Sequence, residues 1–278
     1  MDFDQTCQAI ERIISSDPGR RGVEHLALQG ELARGAESFI RATRVAIVTG
    51  FFVVDQQTYE TDGPPGAIAI GRAFQSLGIP VEYITDSFGL SMLKHAGLVP
   101  IHSSHGMDSL NPILSHLISV ERLGRATDGA FYSMRGRDLS AVTEPLDQLF
   151  LDANADGIVT LGIGDGGNEI GMGRVRDKVV SHIAHGATIA STVPTDFLIT
   201  AGTSNWGAWG LVAALSLLAG KSLLPTLEAA TNDLQQLIDA GCCDGVTGRR
   251  ELTVDGLEVD DYLAPLSALR DIVVEGLR

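Results

Sequence analysis

The sequence predicts an α/β fold: a mostly parallel central sheet with helices on both faces, a Rossmann-like three-layer sandwich. Short apolar, β-branched runs at residues 44–48, 81–85 and 156–161 alternate with longer stretches of helical spacing, as strands joined by crossover helices require. Two of those runs, 44–48 and 156–161, empty into loops dense in glycine and acid. The 278 residues suffice for a full core, and no repeat or low-complexity linker divides them. A helical arm over residues 1–42 and a single α/β catalytic-type domain over 43–278 are therefore expected.

In the arm, Ile10, Ile13 and Ile14 share one helical segment and Leu26, Leu28, Leu32 and Phe39 the next, with Asp17-Pro18-Gly19 as the turn between. It reads as packing material, for the core or for a subunit contact. Residues 44–48 form the first strand and run into Thr49-Gly50-Phe51-Phe52. The next loop carries Asp55, Glu60 and Asp62, then Gly63-Pro64-Pro65-Gly66, which starts a helix over 67–77. Proline in a first turn after an acid is helix-start chemistry, so capping explains Asp62 as readily as function does. In an open parallel sheet, however, ligands bind beyond the carboxyl ends of strands, and residues 49–66 occupy that edge.

A second unit follows, with a strand at 81–85, a helix to about residue 95 and a short strand at 99–102. His102, His105 and His116 lack an acidic ligand pattern, so no metal site is read there. Residues 117–123 begin another strand and lead into a segment holding Arg122, Arg125, Arg135 and Arg137 beside Glu121, Asp128 and Asp138. Salt bridging accounts for Arg137 with Asp138. Arg122 and Arg135 are read as carboxylate clamps, since a guanidinium grips a carboxylate through two parallel hydrogen bonds. Residues 144–152 read as a helix, 188–193 and 197–200 as short strands, and Ser204 as the N-cap of an apolar helix reaching residue 219. An amphipathic helix stopped by Gly241, a hairpin over 253–259 centred on Asp255-Gly256, and a last helix over 261–277 complete the chain.

The stretch around which these elements are arranged is residues 158–174, where Gly162, Gly164, Gly166, Gly167, Gly171 and Gly173 surround Asp165, Asn168 and Glu169. A strand ending in a glycine loop that opens a helix leaves backbone N–H groups free to hold an anion. Gly162, Gly164 and Gly167 match the G-x-G-x-x-G spacing, but Asp165 would place a carboxylate against a pyrophosphate, and no acid ends a strand about 20 residues on. A ligand with both an anionic and a cationic end suits the loop better. Asp165 as a simple N-cap is the plainer alternative, which leaves Glu169 and the glycine density unexplained.

Composition narrows the classes. A formal net charge of -15 argues against nucleic acid as a partner, since phosphate neutralisation needs a basic face. No apolar run is long enough to span a bilayer, and three unpatterned cysteines with no visible leader peptide lead to an expected cytoplasmic location.

Five motifs in order resemble the D-glutamate cyclase family, in particular its C-terminal-type domain: Thr49-Gly50-Phe51, Asp62-Gly63-Pro64-Pro65-Gly66-Ala67, Glu121-Arg122-x-Gly124-Arg125-x-x-Asp128-Gly129, the loop from Gly162 to Gly173, and Ser204-Asn205-Trp206-Gly207. The resemblance implies dehydration of D-glutamate to 5-oxo-D-proline by a carbon–oxygen lyase. It also implies an acidic amino acid as the small-molecule substrate. In animal members this domain follows a different one, so a separate partner domain is expected; the helical arm leaves a homo-oligomer as the other expectation.

For that reaction, Asp165 and Glu169 are the expected acid and base, with Asp62 third. The N–H groups of Gly166 and Gly167, with Asn168, would hold an oxyanion, and Gly164 precedes them in the same turn. Arg122 and Arg135 would bind substrate carboxylates, and Thr49, Gly50, Arg125, Asp128, Ser204 and Asn205 complete the expected substrate-binding set. No organic cofactor is expected. Two other readings stay open: a Mg²⁺ or Ca²⁺ site on Asp62, Asp165 and Glu169 for phosphate-ester hydrolysis, and a non-catalytic domain that senses an amino acid or nucleotide.

Overall fold

The computed structural model describes residues 2–103, 114–153 and 155–278. In chain order the elements are α1 (Phe3–Ile14), α2 (Glu31–Ser38), β1 (Val45–Thr49), β2 (Phe52–Val53), β3 (Thr58–Tyr59), α3 (Pro64–Ser76), β4 (Val81–Thr85), α4 (Leu90–His95), β5 (Ile101–Ser103), β6 (His116–Val120), α5 (Gln148–Ala153), β7 (Val159–Gly164), α6 (Arg176–His182), α7 (Gly186–Ile189), β8 (Phe197–Thr200), α8 (Ser204–Ala219), α9 (Leu227–Asp239), β9 (Thr253–Val254), β10 (Leu257–Glu258) and α10 (Val259–Gly276).

Six strands form one parallel sheet in the order β5-β4-β1-β6-β7-β8. The chain leaves β1 towards β5, then returns to lay β6 on the other side of β1. The switch point of this doubly wound sheet therefore lies between the carboxyl ends of β1 and β6, where a ligand crevice forms in such folds. Register aligns those ends, with Thr49 opposite Val120 and Val120 opposite Ile163.

Alternation along β1 sets the layers. Val45 and Ile47 face a thick helical layer that includes Ile10 and Ile14 of α1, Leu32 of α2, Ile70 of α3 and Trp209 of α8, whereas Ala46 and Val48 face Phe150 and Ala153 of α5. The arm is thus continuous with the main core. Helix α8 is buried nearly all round, which explains why its sequence is apolar without an amphipathic stripe. Among the described residues no helix is long and apolar enough to cross a membrane.

Three expectations change. Residues 188–193 are not a strand: the last turn of α7 covers the first two, and Gly186 lets it dock where a Cβ would lie 2.2 Å from the Val179 carbonyl oxygen. The glycine loop reaches a helix only at its far end, through a 3₁₀ turn at Gly173–Val175. Gly167 and Gly171 have φ of +102° and +101°, which no helix accommodates, and α6 starts only at Arg176. The cap of α8 is Thr203, whose hydroxyl accepts from the Trp206 N–H at 3.2 Å. The hairpin over 253–259 forms as expected, with Asp255 and Gly256 both at positive φ as a type I′ turn requires. His102 pairs with Glu82 and His116 with Ser115 and the Ser38 carbonyl, while His105 lies outside the described residues.

Candidate active site

The site is built where β1, β6 and β7 end. After β6, Glu121 takes a left-handed backbone conformation, φ +47°, with its N–H on the Ile163 carbonyl at 3.1 Å. A non-glycine residue held there marks a functional constraint. Space for it is left by Gly63, φ +97°, where a Cβ would lie 2.6 Å from that of Glu121. After β7 comes Asp165, 4% exposed. Asp62, Glu121 and Asp165 place one carboxylate oxygen each within 4.8 Å of one another. Three such oxygens are the donors a hard divalent cation takes, so this trio could hold one; Glu169 does not belong to it.

Two helix starts fix the cluster reciprocally. Asp62 accepts from the N–H groups of Ser204 and Asn205 at 2.7 and 2.9 Å, satisfying the first turn of α8. Asn205 in return accepts from the N–H groups of Gly63 and Gly66 at 3.1 and 2.8 Å, satisfying that of α3. Asp62 is therefore a cap, but of a helix 142 residues downstream rather than of its own. The Ser204 hydroxyl donates to Glu121 Oε2 at 2.5 Å.

Among the described residues, Arg21 is the cation that answers these acids. Arg21 Nη2 donates to Asp165 Oδ2 at 2.8 Å, to Asp255 Oδ2 at 3.3 Å and to the Gly202 carbonyl at 2.5 Å. Burial on its own would lower the Arg21 pKa, but the neighbouring Asp165 and Asp255 raise it. Burial first, then the surrounding carboxylates, pushes the acids up: Asp62 and Asp165 each to about 7, and Glu60, Glu121 and Asp255 well above the carboxylate range. Asp255 shares Arg21 with Asp165 and is raised by burial and then by the Asp165 charge. Above the cluster opens a cleft of about 390 Å³, walled on one side by Phe51, Phe52 and Leu139 and rimmed by Arg135.

The expected residues divide. Asp62, Asp165, Ser204 and Asn205 meet at the cluster, Thr49 is buried beneath it with an unpartnered hydroxyl, and Arg135 is an exposed rim residue donating to the Val246 carbonyl at 3.4 Å. Glu169 has a different task. Its Oε1 accepts from the N–H groups of Asp165 and Gly166 at 3.0 and 2.6 Å, and its Oε2 from that of Gly167 at 2.7 Å. The nest of Gly166 and Gly167 thus already holds an anion, the chain's own, and is filled against a substrate oxyanion. Gly164 is required for this packing, since a Cβ there would lie 2.9 Å from Glu169 Cδ. Asn168 points its amide N–H at the Tyr132 carbonyl, leaving its Oδ1 buried and unpartnered.

The arginine clamps fall elsewhere too. Arg122 is 1% exposed and grips Asp86 with both terminal nitrogens, also donating to the carbonyls of Gly50 and Glu144, so it braces the β1 loop and has no free fork for a substrate. Arg125 is spent on Asp147, and Asp128 is an exposed acceptor for Tyr132. Arg137 pairs with Asp55 rather than Asp138. Sequence reading did not single out Arg21, Glu60 or Asp255 as site residues, nor give Glu121 a role.

The D-glutamate cyclase-like, C-terminal family matches residues 10–270. The chain belongs to that family. It is 37% identical over 303 aligned positions to human D-glutamate cyclase, mitochondrial, covering 91% of this chain and 49% of the human protein. This member thus spans about half the length of that relative. Among solved structures, an exopolyphosphatase-related protein from Bacteroides fragilis is 11% identical with a TM-score of 0.47, over 90% of this chain and 60% of that one.

Proposed function

We propose that this chain is a lyase that dehydrates D-glutamate to 5-oxo-D-proline, with Glu121 and Asp165 as its acid and base. The observation that carries the reading is the set of buried carboxyls around Arg21 at the switch point of a D-glutamate cyclase-like fold. Ring closure forms the N–Cδ bond and breaks a Cδ–O bond. The α-ammonium surrenders two protons, and both depart with the γ-oxygen as water. No net proton is consumed, so the site needs a relay between carboxyls in different environments.

Asp165, pushed to about 7, is poised to take a proton near neutral pH. Glu121, held higher by burial and then by the neighbouring carboxylates, keeps a proton to give to the leaving oxygen. Arg21, beside Asp165, suits the γ-carboxyl, and Arg135 on the rim suits the α-carboxylate. The pre-formed cleft supplies the folded, near-attack pose. The three free, buried cysteines suit a reducing compartment, and we place the activity in the cytoplasm.

NMR of the purified chain with D- or L-glutamate tests the reading: 5-oxoproline is expected from D-glutamate, with or without added metal. No product from D-glutamate would overturn it. The convergence of Asp62, Glu121 and Asp165 favours one second reading, phosphate-ester hydrolysis on Mg²⁺ or Ca²⁺. Chelator-sensitive phosphatase activity would select that reading instead.

A further inference from the structure

Among the described residues, Glu60 is the one acid of the cleft without a partner. Its backbone is fixed, the N–H donating to the Phe51 carbonyl at 3.0 Å and the residue bridging to Cys243. Its side chain is 8% exposed and, among the described residues, has neither a hydrogen bond nor an ion pair. Gly245 makes room for it, since a Cβ there would lie 2.0 Å from Glu60 Oε2. The largest charges acting on it, from Asp255, Asp62, Asp165 and Asp244, have its own sign. Arg21 is already divided between Asp165, Asp255 and a carbonyl. Its carboxyl lines the cleft, where neighbours of its own sign favour a positively charged occupant. The complement it lacks is a small cation entering from outside.

We propose that Glu60 is the subsite for the ammonium group of the bound amino acid, and that it sets the preference for an amino dicarboxylate over its deaminated counterpart. The inference rests on the cyclase reading of the cleft. An ammonium has three N–H bonds. Once Asp165 takes one proton, the freed lone pair must face Cδ of the γ-carboxyl, and Glu60, ionised by the arriving ammonium with its own proton released to solvent, holds a second N–H and fixes rotation about the Cα–N bond.

The test is a calorimetric titration of wild type and Glu60→Gln with D-glutamate and with glutarate, which keeps both carboxylates and lacks the amine. Wild type is expected to prefer D-glutamate by roughly tenfold or more, the worth of one charge-assisted hydrogen bond. Glu60→Gln is expected to bind glutarate at least as well as wild type and to lose that preference. A preference that survives in the variant, including through equal loss of both ligands, overturns the role of Glu60 and leaves the cyclase reading standing. Binding of neither ligand by wild type removes the cyclase reading and this inference with it.

Discussion

Raising the pH from 5 to 7 should make this protein less stable, the reverse of what ion-paired carboxylates do. Asp62 and Asp165 have ordinary values of 3.8 and folded values of about 7, because burial and then neighbouring charges penalise their ionised forms. The folded chain therefore binds these protons more tightly than the unfolded one. Their contribution is fully present below 3.8 and is lost as pH rises through about 7. Either group treated alone loses about 2 kcal/mol between pH 5 and pH 7. Glu60, Glu121 and Asp255 act in the same direction. His116, which burial lowers from 6.5, opposes them below that value as a single group. Urea unfolding followed by the fluorescence of buried Trp206 and Trp209 reads the balance. A free energy of unfolding that rises from pH 5 to pH 7 would refute the picture of a cluster that burial keeps protonated.

Other perturbations probe single parts. Glu121→Gln and Asp165→Asn should each lower turnover of D-glutamate roughly a hundred- to ten-thousandfold while the far-ultraviolet dichroism stays that of wild type; full turnover in either removes it from the mechanism. Asp86→Asn leaves the buried Arg122 cation without its carboxylate and should cost about 3–5 kcal/mol in urea unfolding; a loss well under 1 kcal/mol would mean that Arg122 finds another partner. Asn205→Ala strips the shared acceptor from Gly63 and Gly66 and should cost about 1–2 kcal/mol, whereas an unchanged melting temperature would count against reciprocal capping.

Strand positions were legible because β1, β4 and β7 are short apolar runs with turn chemistry on both sides, and burial on both faces of a parallel sheet writes that pattern directly. The two glycine-rich loops were found for the same reason. Roles within the loops were less legible. The nearest anion to the nest of Gly166 and Gly167 proved to be Glu169, two and three residues on, and no spacing distinguishes a carboxylate that fills a nest from one that waits beside it. Arg21 and Asp255 lie 144 residues before and 90 residues after Asp165 in ordinary turn sequence, so only the fold brings them together. Arg122 attracted attention as a clamp, and it is one, but for Asp86. Asp62 was ambiguous between cap and acid, and the ambiguity dissolves because it caps a distant helix from within the cluster.

On the proposed reading, this chain closes glutamate on itself in the cleft above Glu121 and Asp165. The most direct test is mass spectrometry of the product made by the purified chain from D-glutamate carrying ¹⁸O in both γ-carboxyl oxygens. Direct attack of the amine predicts 5-oxo-D-proline that retains one label, with the other released as water. Absence of product, or product carrying no label, would contradict the account.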